Sequence, residues 1–169
     1  MQNKRAERLA AQSDPAGVLV VDKDKAMTSH DVVDMVRKRF SFRKVGHAGT
    51  LDPNATGVLV LRVGRATKMS QTFLSEEKEY SARMKLGERT DSGDSDGKVT
   101  LARDVDVTPG DIRDAFGNFK GEILQVPPMV SAKKVNGKRL YKMARRGIEV
   151  KREPRKVFIS QIEVTDIEI

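Results

Sequence analysis

Asp52 is the residue around which chemistry can be argued in this 169-residue chain. It stands in Val45 to Lys68, VGHAGTLDPNATGVLVLRVGRATK, between a glycine-crowded turn and the apolar run Gly57 to Val63. Gly46 and Gly49 let the backbone take φ > 0 or come close to a ligand, and Pro53 biases Asp52 toward an extended conformation. A carboxylate held in this way is a functional group on a rigid loop beside a buried strand. The same residues also make an ordinary turn, with side chains satisfying nearby backbone groups. On residue types alone both readings stand.

Three other features carry a similar choice. His47, two residues before Gly49, is either a satisfied loop histidine or a ligand-facing ring. Tyr80 lies on an alternating stretch, where a tyrosine either packs in a core or offers its face to a flat partner. From Lys133 to Lys156 eleven Lys or Arg stand against two Glu, a local +9 in a chain whose net charge is +8. So concentrated a cationic segment is either a solvated helix face plus loop or the footprint of a polyanion.

The elements that must position these groups follow from hydrophobic patterning. Gly17 to Asp22, GVLVVD, is a short apolar run suited to a buried strand. Thr28 and Asp31 have capping-box spacing, and Val32, Val33, Val36 and Phe40 then give a helix one apolar face. Its basic end, Arg37, Lys38, Arg39, Arg43 and Lys44, also suits the helix dipole. Ala66, Met69, Phe73 and Leu74 predict a second helix ending near Ser75, and Tyr80 to Leu86 alternates as a strand.

Glu88 to Gly97, ERTDSGDSDG, is loop-like and acidic, but lacks the terminal Glu and flanking helices of a calcium loop. Thr108-Pro109-Gly110-Asp111 opens a helix carrying Ile112, Ala115, Phe116 and Phe119 at i, i+3, i+4, i+7. Glu122 to Val126 is a strand candidate. Lys138 to Arg146 predicts a helix with Leu140, Met143 and Ala144 inward and Gly147 as its C-cap. Val157 to Ile169 alternates in three short phases, which predicts a bulge or two strands.

Length and irregular strand-helix alternation predict one α+β sheet domain over 17–169. Residues 1–16 form a flexible polar tail. The absence of cysteine excludes disulfides and thiolate metal sites and, with only His30 and His47 as soft ligands, no metal is expected. No run is long and apolar enough for a membrane span or a signal peptide. The expectation is a cytoplasmic monomer.

GHAGTLDPNATGVLVLRVGRATK resembles the signature of the TruB family of pseudouridine synthases. GVLVVDKDKAMTSHDVV resembles that family's N-terminal motif, KEYSARMKLGERTDSGDSDGKV the segment with its active-site tyrosine, and VPPMVSAKKVNGKRLYKMARRGIEV its RNA-contacting insertion. The N-terminal motif departs from the family's Lys-Pro and following Gly: Asp24 follows Lys23, and Ala26 stands where the Gly is expected. The acidic loop and the long insertion resemble the bacterial tRNA-modifying branch more than the guide-RNA-dependent branch.

The resemblance implies a pseudouridine synthase catalytic fold, an α+β fold with a mixed, largely antiparallel central sheet flanked by helices, incomplete at its C-terminal end. The family's arginine that pairs with the active-site aspartate, and its PUA-like domain, would lie past Ile169. It implies Asp52 as the catalytic carboxylate, acting as nucleophile or as base, on uridine-55 in the T-loop of tRNA, with no cofactor. Lys23, His47, Gly49, Thr50, Leu51 and Tyr80 would bind substrate, His47 helping to extrude the base and Tyr80 stacking on it. Lys133, Lys134, Lys138, Arg139, Tyr141, Arg145 and Arg146 would meet RNA.

The chemistry suits one carboxylate. No water enters when uridine becomes pseudouridine, so the paired carboxylates that manage water in glycosidases are unnecessary. The base must leave its stack, which costs a few kcal/mol and calls for groups that replace stacking. A catalytically silent RNA-binding module and a guide-dependent synthase are the alternatives.

Overall fold

The computed structural model describes residues 15–69, 77–131, 134–135, 137–144 and 146–168. The chain gathers into two compact units, Met1–Ser81 and Ala82–Ile169. The polar tail up to residue 14, Phe73, Leu74, Ser75, Lys133 and Arg145 lie outside the described residues.

In the first unit, strand β1 (Gly17–Lys23) leads to helix α1 (Ser29–Phe40), then β2 (Val45–His47), β3 (Gly57–Val63) and a 3-10 turn (Gly64–Lys68). The sheet order is β1-β3-β2, antiparallel throughout, with Gly17 opposite Val63, Lys23 opposite Gly57 and His47 opposite Leu61. Period-2 alternation sends Leu59, Leu61 and Val63 of β3 inward, where they meet Val32, Val33 and Val36 of α1 and Val45 of β2. Met27, Phe42 and Leu51 pack at the margin of this core.

Helix α1 begins where the sequence places it. Thr28 accepts from the Asp31 N–H at 3.1 Å, and Asp31 accepts from the Thr28 N–H at 2.8 Å, a complete capping box. The helix closes on Ser41 at φ 54, whose N–H reaches the Arg37 carbonyl. Phe40 departs from the expected apolar face. It is exposed and stacks on Phe42, ring centres 5.5 Å apart.

The second unit holds hairpin β4 (Glu88–Thr90) and β5 (Val99–Ala102), helix α2 (Pro109–Gly117), the pair β6 (Gly121–Gln125) and β9 (Arg155–Ile159), ribbon β7 (Lys134–Val135) and β8 (Lys138–Arg139), and the short helix α3 (Leu140–Ala144). All four described sheets are antiparallel, so the molecule is α+β. The strands are divided among one three-stranded sheet and three two-stranded ones.

Four expectations need correction. Residues 77–85 form no strand, and Tyr80 and Met84 are exposed. Alternation marks an amphipathic stretch, but a strand also needs a neighbouring backbone, and no described strand pairs here. The acidic stretch is not all loop: Glu88–Thr90 is β4, and Thr90, Asp91 and Ser92 satisfy the turn's own backbone groups. The helix expected from Lys138 spans only Leu140–Ala144, since Lys138 and Arg139 pair with β7. Of the C-terminal alternation only its start is a strand, in β9, while 161–168 have no regular structure.

The end of α3 agrees with the sequence. Ile148 N–H reaches the Met143 carbonyl and Gly147 N–H the Ala144 carbonyl, with Gly147 at φ 68, a Schellman closure. Leu140 and Met143 are buried as expected. In α2 the capping box of Thr108 and Asp111 is complete, yet Ala115 and Phe119 are exposed; local capping, more than burial, defines that helix.

Candidate active site

The β2–β3 connection, residues 48–56, carries Asp52 and returns to the sheet at Gly57, opposite the last residue of β1. Gly57 has φ 120, a backbone region glycine enters without strain. The loop thus lies beside the β1–α1 turn, and three attachments fix it there.

Lys23 makes the first. Its side chain is 1 % exposed, and the ammonium donates to the carbonyls of Asp24 (2.9 Å), Met27 (2.9 Å) and Pro53 (3.3 Å). Three N–H groups meet three carbonyls, which is what a buried lysine needs to offset lost hydration. In this geometry Lys23 ties the β1–α1 turn to the residue after Asp52.

Ser29, in the first turn of α1, makes the second. It is 2 % exposed; its hydroxyl donates to the Leu51 carbonyl (3.1 Å) and accepts from the Leu51 N–H (2.9 Å). The Leu51 side chain packs on the hydrophobic core. The third attachment lies within the loop, where Ala55 N–H reaches the Asp52 carbonyl at 3.1 Å and closes a turn.

Asp52 itself is exposed, and among the described residues its carboxylate takes no hydrogen bond. Its backbone is fixed on both sides while its charge faces outward. Such an arrangement leaves the anion available to an approaching electrophilic carbon or an acidic C–H, in place of capping a turn.

His47 ends β2, half-buried. Its Nδ1 is hydrogen-bonded to the Gly49 carbonyl. A carbonyl only accepts, so Nδ1 carries the proton. The His47 carbonyl accepts from Arg62 Nη2 at 2.8 Å, and Arg62 Nη1 reaches the Thr67 carbonyl at 3.4 Å. Arg62, 6 % exposed in β3, therefore links β2 to the 3-10 turn. The conformational freedom expected at Gly46 is not used, because its φ is not positive and an added Cβ would meet nothing closer than 4.0 Å.

Lys23, His47, Gly49, Thr50, Leu51 and Asp52 are thus brought together around one loop. Tyr80 is 69 % exposed in an irregular segment and, among the described residues, makes no hydrogen bond to them. Of the basic residues, Arg146 is exposed in the second unit; the side chains of Lys134, Lys138, Arg139 and Tyr141 lie outside the description, as do Lys133 and Arg145.

Sequence reasoning passes over Ser29 and Arg62. A small hydroxyl residue following an N-cap gives no signal of full burial. Arg62 did give one: an arginine within the apolar run GVLVLRV has to find buried carbonyls. Among the described residues no group of three or more His, Cys, Asp or Glu is arranged to hold a metal ion, and no helix is long and apolar enough to cross a membrane.

The family described as TruB family pseudouridylate synthase (N terminal domain) matches residues 37–169. A tRNA pseudouridine synthase B of Alkaliphilus oremlandii is 49 % identical over 151 residues, covering 89 % of this chain and 50 % of the relative. That of Symbiobacterium thermophilum is 48 % identical over 163 residues, covering 96 % and 54 %. The chain spans about half the length of these curated relatives. Among solved structures, the crystal structure of a Cbf5-Nop10-Gar1 complex is similar at TM-score 0.57 and 28 % identity, covering 90 % of this chain and 36 % of that one. A match to the family over 37–169, with relatives near 48 % identity along most of its length, makes this chain a member of the TruB family of pseudouridylate synthases.

Proposed function

We propose that this chain provides the catalytic aspartate of a tRNA pseudouridine synthase that isomerises uridine-55 in the T-loop. The observation that carries this reading is the presentation of Asp52: an exposed, unengaged carboxylate on a loop tied by Leu51 to Ser29 and by Pro53 to Lys23. The name shared by the relatives, tRNA pseudouridine synthase B, supports tRNA as the substrate.

In the reaction the N1–C1′ bond of uridine breaks, the uracil turns, and a C5–C1′ bond forms. C5 then loses its proton and N1 gains one, so no atom enters or leaves overall except by exchange with water. Asp52 acts either as the nucleophile that holds C1′ while the base turns or as the base that takes a proton from the sugar. Either role requires a flipped-out base, since the sugar carbon and C5 are not both reachable in a stacked loop. His47, with its ring held by the Gly49 carbonyl, helps extrude that base, and Tyr80 offers its exposed face for stacking. The segment Lys133 to Lys156 meets phosphates and sets register, with no need to read sequence.

The test follows from the atom that is lost. T-arm RNA carrying C5-tritiated uridine at position 55 should release tritium to water when mixed with the full-length protein alone. Tight binding without release would favour a silent RNA-binding module, and release only with a guide RNA and accessory proteins would favour the guide-dependent reading. Identity near 48 % to relatives named tRNA pseudouridine synthase B favours activity without them.

A further inference from the structure

We propose that Ser29 is a positioning residue for Asp52, an inference that rests on Asp52 being the reacting carboxylate. A single hydroxyl engages both backbone groups of Leu51, donating to its carbonyl at 3.1 Å and accepting from its N–H at 2.9 Å. These groups belong to the two peptide planes that flank Leu51. The second plane is the one from which the Asp52 Cα hangs, so its tilt sets the direction in which the carboxylate leaves the loop.

Ser29 is well suited to act as the reference point. Its backbone is in the first turn of α1, whose Val32 and Val33 are buried in the core four residues or fewer away. The helix does not need the Ser29 hydroxyl for its own start, because Thr28 and Asp31 already complete the capping box. At 2 % exposure the hydroxyl is not exchanging these partners for bulk water. Among the described residues the Asp52 carboxylate has no hydrogen bond of its own, so what is fixed is the direction of its Cα–Cβ bond, set by the backbone that Ser29 holds. On the far side, the Lys23 contact to the Pro53 carbonyl is longer, at 3.3 Å, and shared with two other carbonyls.

A purely structural hydroxyl would lower the folded fraction when removed, yet leave the rate per bound complex unchanged. A positioning hydroxyl lowers the rate per bound complex as well as the stability: its removal leaves the buried Leu51 backbone groups without their partner, and a displacement of about 1 Å at a reacting group can cost on the order of 100-fold in rate. Ser29→Ala, Ser29→Thr and Asp52→Asn are to be compared in the full-length protein by single-turnover tritium release from saturating T-arm RNA, RNA affinity and thermal unfolding. The expected result for Ser29→Ala is a rate about 10- to 100-fold lower, with affinity unchanged within about twofold and recovery of most of the rate in Ser29→Thr. A Ser29→Ala rate within about twofold of wild type, beside an inactive Asp52→Asn, would overturn the inference and leave the function intact. Loss confined to RNA affinity would also overturn it. Turnover by Asp52→Asn would instead remove the functional reading on which it rests.

Discussion

At the scale of single residues, the loop is held by side chains that sequence patterning treats as incidental. Lys23 has no carboxylate partner among its hydrogen bonds; three carbonyls take its place, and one belongs to Pro53. Ala26, in the turn these carbonyls define, sits at φ 62, a left-handed conformation. It costs a residue with a Cβ roughly 1–2 kcal/mol. Glycine would remove that strain but add roughly 0.5–1 kcal/mol of chain entropy. Ala26→Gly should therefore stabilise the protein by about 0.5–1 kcal/mol in denaturant unfolding, and a destabilised variant would mean the turn is not strained. The departure from the family's Gly at this position was visible in the sequence; that the backbone still takes the glycine conformation was not. Residue types alone left Asp52 equally a turn residue, and it was the resemblance of its loop to the family signature that singled it out. Ser29 was not legible, because nothing in its spacing reports a partner 22 residues away.

At the scale of elements, local signals read best. Both capping boxes, Thr28/Asp31 and Thr108/Asp111, open helices at the expected residues, and Gly17–Lys23 and Gly57–Val63 are strands where the apolar runs lie, although Val18, Leu19 and Val20 of the first are exposed where a buried strand was expected. Where an element depends on a remote neighbour, the reading failed. Tyr80 to Leu86 has strand alternation but no described strand beside it, and Lys138 to Arg139 took a strand partner in place of helix. The caps carry a pH consequence. The hydroxyl of each threonine, and next its backbone N–H, favour the ionised carboxylate and hold Asp31 and Asp111 below the ordinary carboxylate value, with His30 adding to the effect at Asp31. A depressed folded value means the stabilisation is fully present above the ordinary carboxylate range and is lost as pH falls through the lowered value. Thermal midpoints should drop on acidification across that interval. The drop should be shallower in the Asp31→Asn, Asp111→Asn double variant, and equal slopes would assign the acid response to other carboxylates.

At the scale of the whole molecule, charge separates two jobs. The chain outside Lys133 to Lys156 is close to neutral, so RNA affinity should depend on that segment and on salt. If about five phosphates are neutralised, log K against log[salt] should have a slope of roughly −3.5 to −4.5; a flat response would mean the segment is only a solvated surface. The proposed chemistry rests on one anion, Asp52. The most direct measurement is single-turnover tritium release from T-arm RNA by wild-type protein and by Asp52→Asn, with RNA affinity determined in parallel. The account predicts that Asp52→Asn binds RNA as wild type does and releases no tritium. Release at the wild-type rate would contradict it.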